Sequence, residues 1–235
     1  MPKALIGITS YNEPYFPDGK KTGFFVNEGL QPFNVFKKNG FEVDFVSETG
    51  TFGFDDNSTS NDFLSGQDRE DFENPESDFN QALSRIKKTS DIDAKDYLIF
   101  YGSAGHGTLF DYPNSKLLKV ATEIYNNGGI FATVCHGPII FDNLINPETG
   151  KYLIEGKKIT GFTAIGEEIL GVAERMEKDN SPTIEEVAKK CGATYVAPPG
   201  PFDAFSVVDG RIVTGTNPAS ATATAVNAVR ALQDV

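Results

Sequence analysis

Cysteine and histidine occur only twice each in the chain. The two cysteines, Cys135 and Cys191, can close at most one disulfide, so a disulfide-built scaffold is excluded and two free thiols are expected. With His106 and His136 as the only histidines and no Cys pair, a histidine-rich metal centre is not expected. Neither is an organic cofactor. Long apolar runs are also missing: nothing approaches the roughly 18 residues that cross a bilayer, and Met1-Pro2-Lys3 leads toward a first strand without a signal-peptide pattern. The expectation is therefore no membrane association and a cytoplasmic location, with the nucleus as a second compartment. Basic residues are scarce: 21 Lys and Arg face 33 Asp and Glu, for a formal net charge of −12. Nucleic-acid binding, which needs Lys and Arg to neutralise phosphate, is not expected.

What is present is an alternation of strand and helix signals. Residues 4–9 read as a buried strand. A helical pattern through Phe25, Leu30, Phe33 and Phe36 closes at Lys38-Asn39-Gly40, and residues 41–47 alternate as a second strand. Pro32 lies inside that helix and removes the N–H that would bond the carbonyl of Glu28, so weakening or a kink is expected beside Glu28. Residues 48–96 are rich in Asp, Asn, Ser and Gly but carry Phe52, Phe54, Phe63, Phe72 and Phe79, too aromatic for a disordered linker; they read as an ordered acidic insertion over a pocket. Helices are expected over 78–88, 115–127, from the elbow to about 144, from Ser181-Pro182 to 191 and from 217 to the C-terminus. Strands are expected at 97–101 and 129–134, and hairpins over 151–161 and 207–213. Residues 1–235 are read as one α/β domain.

The stretch Gly129-Ile130-Phe131-Ala132-Thr133-Val134-Cys135-His136-Gly137-Pro138 runs from strand into tight turn into helix, with cysteine at the apex. A nucleophile on such an elbow projects from the sheet, and the helix N–H groups and dipole facing it favour the reactive thiolate. Thr133 is the one ill-fitting residue, since an elbow usually has a small residue there. Cys191 lies with Ile184, Val187 and Ala188 on one helix face and reads as inert packing. His136 is the candidate acid/base group, although adjacency to Cys135 on a sharp turn makes the two side chains diverge. His106 lies in Gly102-Ser103-Ala104-Gly105-His106-Gly107, a small-residue loop at a carboxyl strand edge, and reads as a substrate or supporting group. Glu28 stands in an apolar helix, where a carboxyl near a thiolate would be partly protonated. Glu167 is a candidate to orient His136, with Glu168 as its competitor.

Val134-Cys135-His136-Gly137-Pro138, the run from Ser103 to Pro113, and Thr9-Ser10-Tyr11-Asn12 resemble the fungal heat-shock-type branch of the PfpI-like superfamily. That branch includes glutathione-independent glyoxalase III enzymes (D-lactate dehydratases), also described as chaperones and protein deglycases. The likeness covers nearly the whole chain, including Gly161-Phe162-Thr163 and Thr214-Gly215-Thr216-Asn217-Pro218-Ala219-Ser220. It implies a flavodoxin-like sandwich, a mostly parallel sheet between helices. It also implies a Cys135–His136–Glu167 triad, Glu28 touching the thiol, and an oxyanion site from backbone N–H groups at Gly105 and His136. The implied substrate is a small α-oxoaldehyde, with misfolded-protein clients and a homodimer as further expectations. Gln31, Phe54, Phe202 and Ala164 depart from the branch's pattern without removing a catalytic group. Two other classes stay open at this point: a cysteine peptidase or amidase, and a non-enzymatic redox-sensing chaperone. The downstream His-x-Glu base of amidotransferases is excluded, since no histidine follows His136.

Overall fold

The computed structural model describes residues 1–234. Its opening unit is β1 (Lys3–Gly7), α1 (Val26–Lys38) and β2 (Glu42–Ser47). Helix α1 buries Val26, Leu30, Phe33 and Phe36 along one stripe, and the chain turns back where Gly40 takes a φ of 82°. The weakening expected at Pro32 does not break it: α1 runs continuously through Pro32, because its buried stripe outweighs one missing backbone bond.

The acidic segment that follows is ordered. It contributes α2 (Gly66–Glu73), α3 (Asp78–Leu83) and the two-residue β3 (Lys87–Lys88), which pairs parallel with β2. The helix predicted over 78–88 stops at Leu83, five residues early, because Lys87 and Lys88 join the sheet edge. Leu64, Phe79, Ala82 and Leu83 are buried in the core, and Phe52, Phe54 and Phe72 pack against its margin. The aromatic content that argued against a linker is what docks the segment; a fully buried Phe such as Phe79 contributes about 2 kcal/mol.

Next come β4 (Ile99–Gly102), α4 (Thr108–Asp111), α5 (Leu117–Asn126) and β5 (Ile130–Val134). Past the elbow the chain makes only a short 3₁₀ segment, Gly137–Phe141, where a helix to about residue 144 was predicted. The predicted hairpin over 151–161 is also replaced. Antiparallel β6 (Ile145–Asn146) and β7 (Lys151–Tyr152) form one small ladder. In the other, β8 (Lys158–Ile159) lies parallel to the distant β9 (Thr194–Tyr195). Between them run α6 (Ala164–Leu170), α7 (Ala173–Lys178) and α8 (Ile184–Lys190), the last with a capping box between Thr183 and Glu186. The predicted hairpin near 207–213 forms as β10 (Ser206–Asp209) and β11 (Ile212–Gly215), and α9 (Ala221–Gln233) closes the described chain.

The main sheet has the order β10-β11-β5-β4-β1-β2-β3 and is parallel except for the β10–β11 hairpin. Strand alternation sends side chains to two faces. Ala4, Ile6, Ile99, Tyr101, Ile130 and Ala132 meet α1 and α9 on one side; Leu5, Phe100 and Phe131 meet α5 and α8 on the other. The result is the expected flavodoxin-like sandwich. Adjacent β4 and β5 are in register at Gly102 and Thr133, so the loop after Gly102 and the turn after Val134 leave the sheet side by side. Among the described residues no helix is long and apolar enough to cross a membrane.

Candidate active site

Strand β5 delivers Cys135 with a φ of 59°, one of two described non-glycine residues in the left-handed region. That conformation is held by the Cys135 N–H donating to the Gly215 carbonyl at 2.9 Å and by the Phe162 N–H donating to the Cys135 carbonyl at 2.9 Å. Thr133 fits for a local reason: its hydroxyl donates to the Gly102 carbonyl at 2.9 Å, and a Cβ at Gly137 would meet that oxygen at 2.0 Å. The bulk absent from Gly137 makes room for Thr133.

The positive φ overturns the expected divergence of neighbouring side chains. His136 turns its Nδ1 to 3.2 Å from the Cys135 Sγ. Its other nitrogen, Nε2, is 2.6 Å from Glu167 Oε1. Glu167 sits in the first turn of α6, where Thr163 caps the helix by accepting from the Gly166 N–H at 3.0 Å. Glu167 is 3% exposed whereas its competitor Glu168 is exposed to solvent, so the carboxylate that meets His136 is Glu167.

His106 is also drawn into this group. Its Nε2 lies 2.9 Å from Glu167 Oε2, so one carboxylate bridges both histidines of the chain. Sequence reasoning left His106 as a substrate or supporting group and did not foresee this pairing; its position at the β4 carboxyl edge beside the β5 turn was the available signal. Burial alone would raise Glu167, but the two histidines outweigh it and hold the carboxyl well below its usual range. Burial, aided by the neighbouring His136, lowers His106, which is neutral at pH 7. An ionised carboxylate only accepts hydrogen bonds, so both Nε2 atoms carry a hydrogen and His136 Nδ1 is the ring nitrogen that faces the thiol.

The thiol itself departs from expectation. Burial, then the neighbouring Glu28 carboxyl, pushes the Cys135 pKa well up, and the His136 backbone N–H pulls the other way. A 3₁₀ segment of five residues supplies no long helix dipole to offset this. The elbow was expected to favour a thiolate beside a protonated carboxyl; the burial around Cys135 favours the thiol instead.

Glu28, in the first turn of α1, is fully buried, and burial raises its pKa to about 8. The Cys135 thiol and the backbone of Ala104 face it and pull the value down, but neither carboxyl oxygen has a partner in hydrogen-bonding geometry. A protonated Glu28 therefore stands next to the sulfur at neutral pH. The backbone N–H groups of Gly105 and His136 donate to no backbone acceptor. Gly105 takes a φ of 122° with the Gly23 carbonyl 2.1 Å from where a Cβ would stand, so only glycine fits. The positions departing from the family pattern lie further out. Gln31 bonds Asp68 and Thr222, Phe54 packs on Phe24 and Phe72, Ala164 precedes the buried turn of α6, and Phe202 is half-exposed 6.3 Å from Phe162.

Aromatic rings roof the cluster. The Tyr15 and Phe16 rings lie 5.0 and 5.4 Å from the His106 ring, and Phe162 stacks on His136 at 4.7 Å. Phe16 also lines a cavity of about 510 Å³ together with Phe25, Phe63 and Leu170. The acidic segment forms part of its wall through Asn57, Ser60, Asp62 and Phe63.

Comparison with known proteins places this arrangement. Glyoxalase 3 of Candida albicans is 59% identical over 234 residues, covering 99% of each chain. Glutathione-independent glyoxalase HSP31 of Saccharomyces cerevisiae is 58% identical over 233 residues, 99% of this chain and 98% of the relative. The crystal structure of glyoxalase III from Candida albicans superposes with a TM-score of 0.97 at 59% identity, covering 98% of this chain and 97% of that one. Residues 22–231 match the DJ-1/PfpI family, and to that family the chain belongs.

Proposed function

We propose that the chain is a glutathione-independent glyoxalase that converts methylglyoxal to lactate at Cys135. One observation carries the reading: Sγ, the His136 imidazole and the Glu167 carboxylate form a continuous chain of 3.2 and 2.6 Å contacts beside a protonated, unpartnered carboxyl. The resemblance to relatives named glyoxalases supports the substrate.

As the aldehyde carbon approaches, the Cys135 proton passes to His136 Nδ1 and the sulfur adds to the carbonyl. Glu167 stabilises the imidazolium so formed, and the new oxyanion meets the N–H groups of Gly105 and His136 before taking the proton back from His136. Neutral His136 then removes the C1 hydrogen while Glu28 gives its proton to the C2 carbonyl oxygen, leaving an enediol. Return of the His136 proton to C2 and of the C1 hydroxyl proton to Glu28 yields the thioester and restores both groups. His136 deprotonates a water that cleaves the thioester, and the departing sulfur recovers that proton with lactate released. Oxidation at C1 is balanced by reduction at C2.

Burial favours this reading over its competitors. Cys135 is 3% and His136 2% exposed, which suits a small carbonyl and not a polypeptide at a peptidase site. A redox sensor requires an accessible, acidic thiol, and Cys135 is neither. A homodimer, misfolded-protein clients and residence in cytoplasm and nucleus belong to the same proposal by resemblance; light scattering tests the first. The deciding experiment follows lactate formed from methylglyoxal by wild type and Cys135→Ser. Turnover by the variant at the wild-type rate would end the proposal.

A further inference from the structure

The bridged histidines allow a second chemistry that proton transfer does not use. His106 Nε2, His136 Nε2 and a Glu167 carboxylate oxygen lie within 4.8 Å of one another, and all three residues are buried. Two imidazoles and one carboxylate are a donor set that zinc enzymes and non-haem iron enzymes use with an open position left over. Scarcity of histidine argued against a histidine-rich centre, but two suffice when the fold brings both to one carboxylate.

We propose that His106, His136 and Glu167 bind a divalent transition-metal ion of the Zn²⁺ class, and that the bound ion switches off His136 as the base for Cys135. The geometry favours entry. Tetrahedral Zn²⁺ with bonds near 2.0 Å sets its ligand atoms about 3.3 Å apart. The three candidate atoms already lie within 4.8 Å of one another, with each histidine on its own Glu167 oxygen at 2.9 and 2.6 Å. The two imidazole rings lie with centroids 3.9 Å apart and planes tilted by 41°, between Tyr15 and Phe162. The Tyr15 hydroxyl is buried without a hydrogen-bond partner, and burial, then the nearby Glu167 charge, holds its proton more tightly. Cys135 stays outside the set, because its sulfur faces Nδ1, across the His136 ring from Nε2.

The inhibitory consequence follows from the tautomer. An ion on Nε2 needs that nitrogen's lone pair, so the hydrogen of His136 moves to Nδ1 and that of His106 likewise, with no net proton lost. Nδ1 then presents a hydrogen to Sγ where it had presented a lone pair, and it can no longer accept the Cys135 proton. The binding claim does not rest on the glyoxalase reading and is tested apart from it.

Metal-free full-length protein is titrated with Zn²⁺ against a chromophoric chelator, alongside Cys135→Ser and His106→Gln. The expected result is one ion per chain for wild type and Cys135→Ser, with affinity at least about tenfold lower for His106→Gln. Equal affinity of wild type and His106→Gln, or loss of binding in Cys135→Ser, overturns the site. Anomalous diffraction from Zn²⁺-soaked wild-type crystals keeps the test independent of how His106→Gln folds: a peak between the two Nε2 atoms supports the proposal, and a peak at a sulfur or no peak ends it. Separately, occupied Zn²⁺ should stop methylglyoxal turnover and chelator should restore it; full turnover with the site occupied overturns the inhibitory half alone.

Discussion

Cys135 and Cys191 are both free, both buried at 3% and 1% exposure, and both have thiol pKa values pushed up chiefly by burial, that of Cys191 to about 11. Burial, and the direction in which it moves the thiol pKa, are alike for both, so neither marks a nucleophile here. They differ in what the sulfur faces. The Cys191 thiol donates to the Phe141 carbonyl at 3.4 Å, which can hold a proton but not take it away. Cys135 faces an imidazole lone pair backed by an ionised carboxylate, on a backbone twisted to a φ of 59°. A buried thiol becomes useful when its acceptor can carry the proton and have the resulting charge stabilised.

The largest expected effect breaks the pair apart directly. Cys135→Ser should lower lactate formation from methylglyoxal on the order of 10⁴-fold or more, whereas Cys191→Ser should stay within about twofold of wild type. Alkylation followed by peptide mass spectrometry gives a second readout: Cys135 should be labelled well before Cys191. Equal labelling rates would mean that the imidazole does not activate the sulfur.

Glu167→Gln tests why the acceptor works. The carboxylate accepts from two Nε2–H groups, but an amide offers one oxygen and one NH₂, so one histidine must reverse its tautomer or lose its bond. If His136 is the one that turns, its Nδ1 gains a hydrogen and the thiol loses its base. A fall of about 10³-fold in kcat with little change in KM is expected, from steady-state kinetics. A variant within threefold of wild type would remove Glu167 from the chemistry.

The sequence made the sheet and the elbow legible because each depends on local pattern: apolar strands, Gly and Pro punctuation, and a cysteine at a strand-to-helix corner. It also singled out Glu28 and Glu167 from 33 acidic residues, by an apolar helix in one case and resemblance in the other. What it concealed depends on contacts between distant segments or on one dihedral angle. No local signal shows that β8 pairs with β9 instead of folding back as a hairpin. Chain adjacency suggested that His136 and Cys135 part, and the positive φ reverses this. Sixty-one residues separate His106 from the carboxylate it shares. The thiol's protonated state was hidden too, since it follows from burial and from the neighbour Glu28.

Cys191 has no carboxyl like Glu28 beside its sulfur. The Glu28 pKa of about 8 predicts that the form needed, the protonated one, is lost as pH rises through 8, giving an alkaline limb in kcat/KM that belongs to the Glu28–Cys135 pair. Glu28→Gln should lower kcat about 100-fold and abolish that limb. Stability supplies an independent check. The unfolded chain releases this proton near 4.5 and the native state holds it to about 8, so its contribution is full below 4.5 and is lost as pH rises between these values. By pH 7 the loss is on the order of 3 kcal/mol. Urea midpoints at pH 5 and pH 8 should therefore fall more steeply with pH in wild type than in Glu28→Gln, and parallel slopes would show that Glu28 is ionised in the native state.

The smallest expected effect belongs to Cys191→Ala. This thiol closes α8 beside buried Val187 and Ala188, and its replacement removes one sulfur and one weak bond to Phe141 without leaving a charged or unpaired group behind. The expected loss is about 1 kcal/mol in a denaturant titration, with lactate formation from methylglyoxal essentially unchanged. Because the lost sulfur affects packing alone, the melting and activity readouts should separate cleanly. A parallel fall in both would mean that the α8 end, through Phe141 and the 3₁₀ segment Gly137–Phe141, helps hold the elbow that presents Cys135. The two cysteines would then be coupled through the 3₁₀ segment Gly137–Phe141.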